Sequence, residues 1–465
     1  MNGREKLNER GKLLYVSFNY PPLTNVSSMQ NHFLVQGLRE TGWDVEVLTI
    51  RGEDAEREVG TVDNSILSPY EDGKVHRATY VSLRSAALRF RDRVRNSLLQ
   101  KGIVGESERT SHAMRVTLGT SHSHPRLRSF KNILTDELLS FPDRDCGWIL
   151  GGYRLGKKVA REKGCRLLFA TSPPHSTLVV GYLLKKKFDI PLVSDLHDPW
   201  IGNPYRESRS SLFSHLSERL HAHILGETDH VRANTEALKD HLVTLLPACN
   251  KKITVGTCGF PELIGKCDGQ LELGNGNIFT ILHAGSLYGR RSPRKFLLAL
   301  RRLAENGTFT SGGVRVRFFG PVTVPDKEFR DLLSDGFLAS MVETGSLQRE
   351  ACLREMCSAN LLVTFQQGTR LQVPAKIFEY LSIGRPMLTI ADEGGATWEM
   401  IKREGFGECV TDDEVAIAEI LSRAYAHRSE QSGQRHYPNA EKYSFREIAT
   451  RLDVILTGLI GGGRV

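Results

Sequence analysis

Long hydrophobic runs are missing from this sequence. The longest apolar stretches, such as Thr177–Leu184, fall far short of the roughly 20 residues that a membrane-crossing helix needs. The first residues, MNGREKLNERGK, are charged and have no apolar centre, so they do not read as a secretion signal. The eight cysteines, at 146, 165, 249, 258, 267, 352, 357 and 409, form no C-x-x-C pair, and no paired His spacing accompanies them. Zinc is therefore not expected, and reduced thiols in a cytoplasmic protein are. The motifs G-x-G-x-x-G, Walker A, H-E-x-x-H and G-x-S-x-G are absent as well. Their absence argues against a dinucleotide-dependent dehydrogenase, a P-loop NTPase, a zincin and an α/β hydrolase. No nucleic-acid-binding motif is found either.

What is present is an ordinary soluble composition: 465 residues, 40% hydrophobic and 25% charged. That excludes disorder as the main state, and the length predicts two or three domains. The net charge is +8, which at first suggests an acidic partner. Yet residues 84–132 alone hold eleven basic and three acidic side chains, a surplus equal to that of the whole chain. The excess is local. Starting one residue before it, Leu83, Ala87, Phe90, Val94 and Leu98 make one apolar stripe among arginines, a pattern suited to an anionic lipid surface.

Elsewhere short apolar runs alternate with helix-period segments. Strands are predicted at 12–18 and 45–50 around a helix at 27–41, with Ser27 or Ser28 as its N-cap. After the basic insertion the rhythm resumes: helix 148–162, strand 166–170, helix 175–187, strand 191–195, helix 207–225, strand 229–233, helix 235–245 and strand 252–255. Residues 261–277, rich in Gly, Asn and Asp, read as a linker. A second series follows: strands at 278–283, 314–319, 360–364 and 386–390, with helices at 292–304, 347–357, 374–383 and 394–403. A last helix is predicted near 441–459. The expected class is α/β, with two Rossmann-like parallel-sheet domains facing across a cleft. The boundaries are 12–260 with the basic insertion 84–132, then 275–430, then a C-terminal helix at 440–460 packing back on the first domain.

Four segments carry candidate chemistry. Phe18–Ser28 joins a strand to a helix N-terminus, where free N–H groups suit anions or sugar oxygens; a Pro-rich turn with a Ser cap is the plain alternative. Asp195-Leu196-His197-Asp198-Pro199-Trp200 places three polar side chains at a strand's carboxyl end, where α/β folds bind ligands. His197 there can donate to a sugar hydroxyl or shuttle a proton. His283–Lys295 opens a helix after Gly285 and carries Arg290, Arg291, Arg294 and Lys295, cations that match a pyrophosphate. In Gly368–Pro386, a polar loop feeds a helix with Pro374 near its start. Glu379 lies in an otherwise apolar stretch and needs a partner, either a ribose diol or a structural cation.

These segments, with FPDRDCGW, TSPPHST, VRANT, VPAKIFEYLSIGRP and EGGAT, make the chain resemble the retaining glycosyltransferases of family 4, which have the GT-B fold. The likeness runs in order from about residue 12 to 411 and is nearest to the branch that assembles surface polysaccharide or lipopolysaccharide. The resemblance implies an N-terminal acceptor domain and a C-terminal domain for a nucleotide-sugar donor. It implies that His197 contacts the donor sugar, with Asp198 beside it. Gly285, Ser286, Arg290, Arg291 and Lys295 would meet the donor phosphates, and Glu379 the donor ribose. Asn25, Ser27 and Ser28 stand where the family more often has a Gly pair. The family's first Glu of an E-x7-E motif is replaced by Leu371, so Gln372, Val373, Pro374, Lys376 or the local backbone would form the donor-sugar loop.

The reaction so implied is retaining sugar transfer to a glycan or lipid-linked acceptor. It needs no resident cofactor or metal, since no metal-ligand cluster is evident and cations and helix N-termini would steady the leaving diphosphate. A peripheral site on the inner face of a membrane is expected, through 84–132. Two other readings stay open: a nucleotide-sugar epimerase, and a catalytically degenerate GT-B protein used for binding or scaffolding, which the lost first Glu keeps open.

Overall fold

The computed structural model describes residues 10–58, 62–63, 73–81, 137–203, 210–261, 278–310, 312–324, 327–334, 336–428, 435 and 437–461. The basic segment 84–132 and most of the linker lie outside them.

The N-terminal domain contains β1 (Lys12–Val16), α1 (Val26–Glu40), β2 (Asp44–Ile50), α2 (Gly52–Glu58) and β3 (Val75–Ala78). It continues with α3 (Ile149–Lys163), β4 (Leu167–Ser172), α4 (Ser176–Phe188), β5 (Leu192–Leu196), α5 (Ser211–Glu227), β6 (His230–Ala233), α6 (Glu236–Leu245) and β7 (Ile253–Val255). The seven strands are parallel, in the order β3-β2-β1-β4-β5-β6-β7. Alternation along β1 explains the layering. Leu14 and Val16 face a core shared with α3 and α4, while Leu13 and Tyr15 face the opposite one. Both faces of a parallel sheet must be covered.

The second domain contains β8 (Phe279–Ala284), α7 (Arg294–Glu305), β9 (Val314–Phe319), α8 (Lys327–Leu333), α9 (Gly336–Met341), β10 (Val342–Gly345), α10 (Arg349–Ser358) and β11 (Leu361–Gln366). Then come α11 (Ala375–Ile383), β12 (Met387–Ala391), α12 (Ala396–Glu404), β13 (Glu408–Val410) and α13 (Glu414–Ala426). Its six strands run β10-β9-β8-β11-β12-β13, again all parallel. Two such sheets are the pair of Rossmann-like domains that the alternating pattern predicts, and the GT-B arrangement that the resemblance implies.

The last helix, α14 (Phe445–Gly461), returns to the N-terminal domain. Its Phe445, Ile448, Ala449, Leu452 and Leu456 join Leu34, Val35 and Leu38 of α1 in one buried cluster. Trp43 Nε1 donates to Asp453 Oδ1 over 2.8 Å. The connector between domains is also clamped: the Gln30 side-chain amide donates to Gly259 O and accepts from Gly259 N, both at 2.9 Å.

Two expectations need correction. The N-cap of α1 is Asn25, whose side chain accepts from Ser28 N at 2.8 Å; Ser27 and Ser28 lie inside the helix. Asn wins because its Oδ1 reaches the third residue on from outside the helix. Cys357 is disulfide-bonded, so the thiols are not all reduced. Sequence spacing does not reveal which cysteines a fold brings together.

Candidate functional site

In both sheets the strand order reverses once, between β1 and β4 and between β8 and β11. A crevice outside the carboxyl ends of the strands forms at such a point. The loops there are tied to one another. After β1 and β4, Asn19 Nδ2 donates to Pro173 O at 2.9 Å, and Asn25 Nδ2 donates to Asn19 Oδ1 at 2.9 Å. Ser28, at the start of α1, is fully buried. After β8 and β11, Gln367 Nε2 donates to Ser292 O at 3.0 Å.

Asp195 is the last residue but one of β5 and is completely buried. Its Oδ1 pairs with Arg232 Nη1 at 3.0 Å, and its Oδ2 meets His197 Nε2 at 2.9 Å. Burial, the largest single influence, pushes this carboxyl up. Arg232, His197 and the Thr171 hydroxyl together outweigh it and hold it below its ordinary value. Asp198 faces the other domain, where its Oδ1 accepts from Gln372 Nε2 at 2.6 Å. Trp200 of the same segment is core: it stacks on His175 at 4.6 Å and donates to Ser217.

Leu371 contributes its backbone, not its side chain, to this meeting: its carbonyl accepts from Thr235 Oγ1 at 2.7 Å. Thr397 Oγ1 in turn donates to Gln372 O at 2.9 Å. The loop 371–374 thus bridges the end of β6, the 198 turn and the first turn of α12. Val373 is buried and Pro374 is the N-cap of α11. That helix start has no side-chain cap, which leaves its first N–H groups for other acceptors.

The first loop of the second domain packs against this helix. A Cβ on Gly285 would lie 3.8 Å from Lys376 Cγ and 3.3 Å from His283 Nε2. Gly320 (φ +142°) makes room beside it, since a Cβ there would sit 2.4 Å from Gly285 O. Ser286 and Arg290 are exposed, and the Arg290 side chain runs along Gly368. The Arg291 guanidinium lies 4.6 Å from the Tyr288 ring centre. Arg294 is drawn off to Glu328 at 2.7 Å. Lys295 lies close enough to Asp412 to oppose the rise that burial gives that carboxyl.

Glu379 is buried between two cations, Arg349 at 2.8 Å on Oε1 and Lys376 at 2.6 Å on Oε2. Burial pushes its carboxyl up, and Lys376 and Arg349 overcome that and bring it below its ordinary range. It is therefore ionised near neutral pH. Each oxygen keeps acceptor capacity beyond these bonds.

On the N-terminal side, Asp143 Oδ2 caps α4 by accepting from Ser176 N at 2.6 Å. Asp145 beside it is pushed up to about 7 by burial and by the Asp143 carboxylate. A cavity of about 800 Å³ opens on the flank of the cleft, between β6–α6 and α12–α14; Arg232, Thr235, Val373 and Arg403 line it. Among the described residues no His, Cys, Asp and Glu are grouped to hold a metal ion, and no helix is long and apolar enough to cross a membrane.

Arg232, Thr235 and Arg349 were not candidates from sequence. Arg232 and Thr235 sit in the quoted VRANT segment, which was their only signal. Arg349 is thirty residues from Glu379, and nothing in the sequence pairs them.

Residues 112–261 match the model of Glycosyltransferase Family 4, about a third of the chain. No curated protein matches the sequence. Solved structures are similar across nearly the whole length. A HepE protein of Anabaena, solved with UDP and glucose, is 14% identical (TM-score 0.59, 96% of this chain and 100% of that one). A sucrose-phosphate synthase of Thermosynechococcus elongatus is 14% identical (TM-score 0.61, 97% and 100%). A glycosyltransferase of Rickettsia africae is 10% identical (TM-score 0.58, 98% and 100%). At these identities the likeness establishes the fold.

Proposed function

We propose that the chain is a glycosyltransferase that moves a sugar from a nucleotide-sugar donor to a glycan or lipid-linked acceptor, retaining the anomeric configuration, in cell-surface polysaccharide assembly. The observation that carries this reading is the Gly285 loop packed on the uncapped start of α11, with Asp198, the neighbour of His197, tied to the loop before that helix through Gln372. A diphosphate bound there would meet backbone N–H groups, a helix dipole and nearby cations. The family match and a neighbour solved with UDP-glucose make a uridine nucleotide sugar the first donor to test.

In this reading Glu379 accepts from the ribose hydroxyls with the oxygen capacity that Arg349 and Lys376 leave. Arg291 and Lys295 approach the diphosphate as charge develops on it, an electrostatic contribution on the order of several kcal/mol. The reaction is proposed to need no metal. Attack comes from the donor's own face, the leaving phosphate helping to take the acceptor proton. Asp198 and Gln372 take the place of the family carboxylate that Leu371 lacks and address the hydroxyls of the sugar. Closing the domains limits donor hydrolysis.

The test is a transfer assay with a panel of nucleotide sugars and lipid-linked glycans, the product's anomeric configuration read by NMR. Retention supports the reading and inversion rejects it. Interconversion of sugars without transfer indicates an epimerase; binding without turnover indicates a scaffold.

A further inference from the structure

His197 has one side turned inward and one free. Its Nε2 meets Asp195 Oδ2 at 2.9 Å, and its side chain is 13% exposed. Its other ring nitrogen, Nδ1, has no hydrogen-bond partner among the described residues. An ionised carboxylate only accepts, so the proton between the two belongs to Nε2. A neutral His197 then carries a lone pair on Nδ1, and that is the atom left to the cleft.

What keeps Asp195 fit for this task is Arg232. Its guanidinium lies in the fold with a side-chain exposure of 4% and 5.8 Å from the Phe169 ring centre. The pocket for it is cleared by Gly256, where a Cβ would fall 2.1 Å from Arg232 Nε. Replacing a buried charge pair by apolar packing is often neutral or stabilising, so stability alone is weak grounds for one. The other titratable groups within electrostatic reach of the pair are Tyr15 from β1, His230 from β6, Cys258 from the connector and Arg451 from α14.

We propose that Arg232 and Asp195 are positioning residues: they fix His197 in the Nε2–H form, so that Nδ1 is presented to the cleft as an acceptor for a sugar hydroxyl. This rests on the cleft being the sugar site and narrows the role of His197, from hydroxyl donor or proton shuttle to hydrogen-bond acceptor. Asp195 and Arg232 do not touch the sugar themselves.

The test needs no substrate. Long-range ¹⁵N–¹H NMR of histidine-labelled full-length protein at pH 8 reads the tautomer, with His197 assigned by its loss in His197→Gln. The wild type should favour Nε2–H by at least about tenfold, as a charge-assisted hydrogen bond implies. Asp195→Asn should abolish or reverse that preference. Gly256→Ala, which leaves Asp195 in place and displaces Arg232, should weaken it, and Arg232→Lys should keep it. A wild-type ring protonated on Nδ1 overturns the proposal, and so does a preference unchanged in both Asp195→Asn and Gly256→Ala. If Asp195→Asn fails to fold, the wild-type and Gly256→Ala spectra still decide. Loss of the transferase reading would leave the tautomer result standing, so the two failures are separable.

Discussion

Gln372 and Asp198 join the two domains across the cleft by a 2.6 Å hydrogen bond from Nε2 to Oδ1. The amide belongs to the loop before α11 and the carboxylate to the turn after β5. The bond therefore ties the donor-side loop to the segment that carries His197. Gln372→Ala and Asp198→Ala should each lower the unfolding free energy, with a coupling of about 1–3 kcal/mol in a double-mutant cycle. Gln372→Glu should be worse than Gln372→Ala, because it sets two carboxylates face to face. Strict additivity in chemical denaturation would show that the bridge does not operate in solution.

Asp145 predicts a pH-dependent stability. Its carboxyl is raised from 3.8 to about 7, so as pH rises the unfolded chain gives up the proton first. The stability that the protonated group contributes is full below about pH 3.8 and is lost as pH passes through 7. Asp145→Asn imitates the protonated form. It should match the wild type near pH 4 and exceed it by roughly 1–2 kcal/mol at pH 8, the figure discounted for partial exposure. Parallel stability curves across that range would reject the shift.

Glu379 predicts the opposite trend. Its carboxyl is held below 4.5, so its contribution is present above that value and is lost as pH falls through the lower folded value. Glu379→Gln should be less stable than the wild type at pH 7 by about 1–3 kcal/mol, and the two should converge in acid. Donor affinity should fall more than acceptor affinity. Unchanged donor binding in a calorimetric titration with UDP-glucose, if that donor binds the wild type, would remove the ribose role.

The basic segment 84–132 lies outside the described residues, and its proposed task is reached from composition. Flotation with vesicles of anionic phospholipid should recover the full chain and lose most of it when 84–132 is deleted or when 0.5 M salt is added, because screening shortens the reach of surface charge. Undiminished flotation of the deleted chain would assign the contact elsewhere.

How far the sequence carries depends on what holds each feature. The parallel strands were legible because β1, β4, β5, β8 and β11 are mostly apolar and are buried on both faces. β10 and β13 were not: they are edge strands of four and three residues, and β10 is largely exposed. The spacing of Ile417, Ile420 and Leu421 in α13 is helical, but its start merges with the Asp412–Asp413 turn. Candidate residues on the strand-end loops, such as His197 and Gly285, could be read because short loops follow recognisable strands. Their partners could not. Arg232 meets Asp195, Gln372 meets Asp198 and Arg349 meets Glu379 only through tertiary packing. The cations also looked alike in sequence, whereas in the fold Arg294 is drawn to Glu328 and Arg291 lies over Tyr288.

The central claim is that a nucleotide sugar is cleaved in this cleft. The most direct measurement is release of nucleoside diphosphate from a panel of nucleotide sugars, with an acceptor mixture and with EDTA present. The account predicts release by the wild type from at least one donor. It predicts a fall of at least about a hundredfold when Arg291→Ala is combined with Lys295→Ala, and a similar fall in His197→Ala. Complete loss in EDTA that Mg²⁺ restores would contradict the metal-free chemistry. Absence of release from every donor, or release that these substitutions leave untouched, would contradict the account itself.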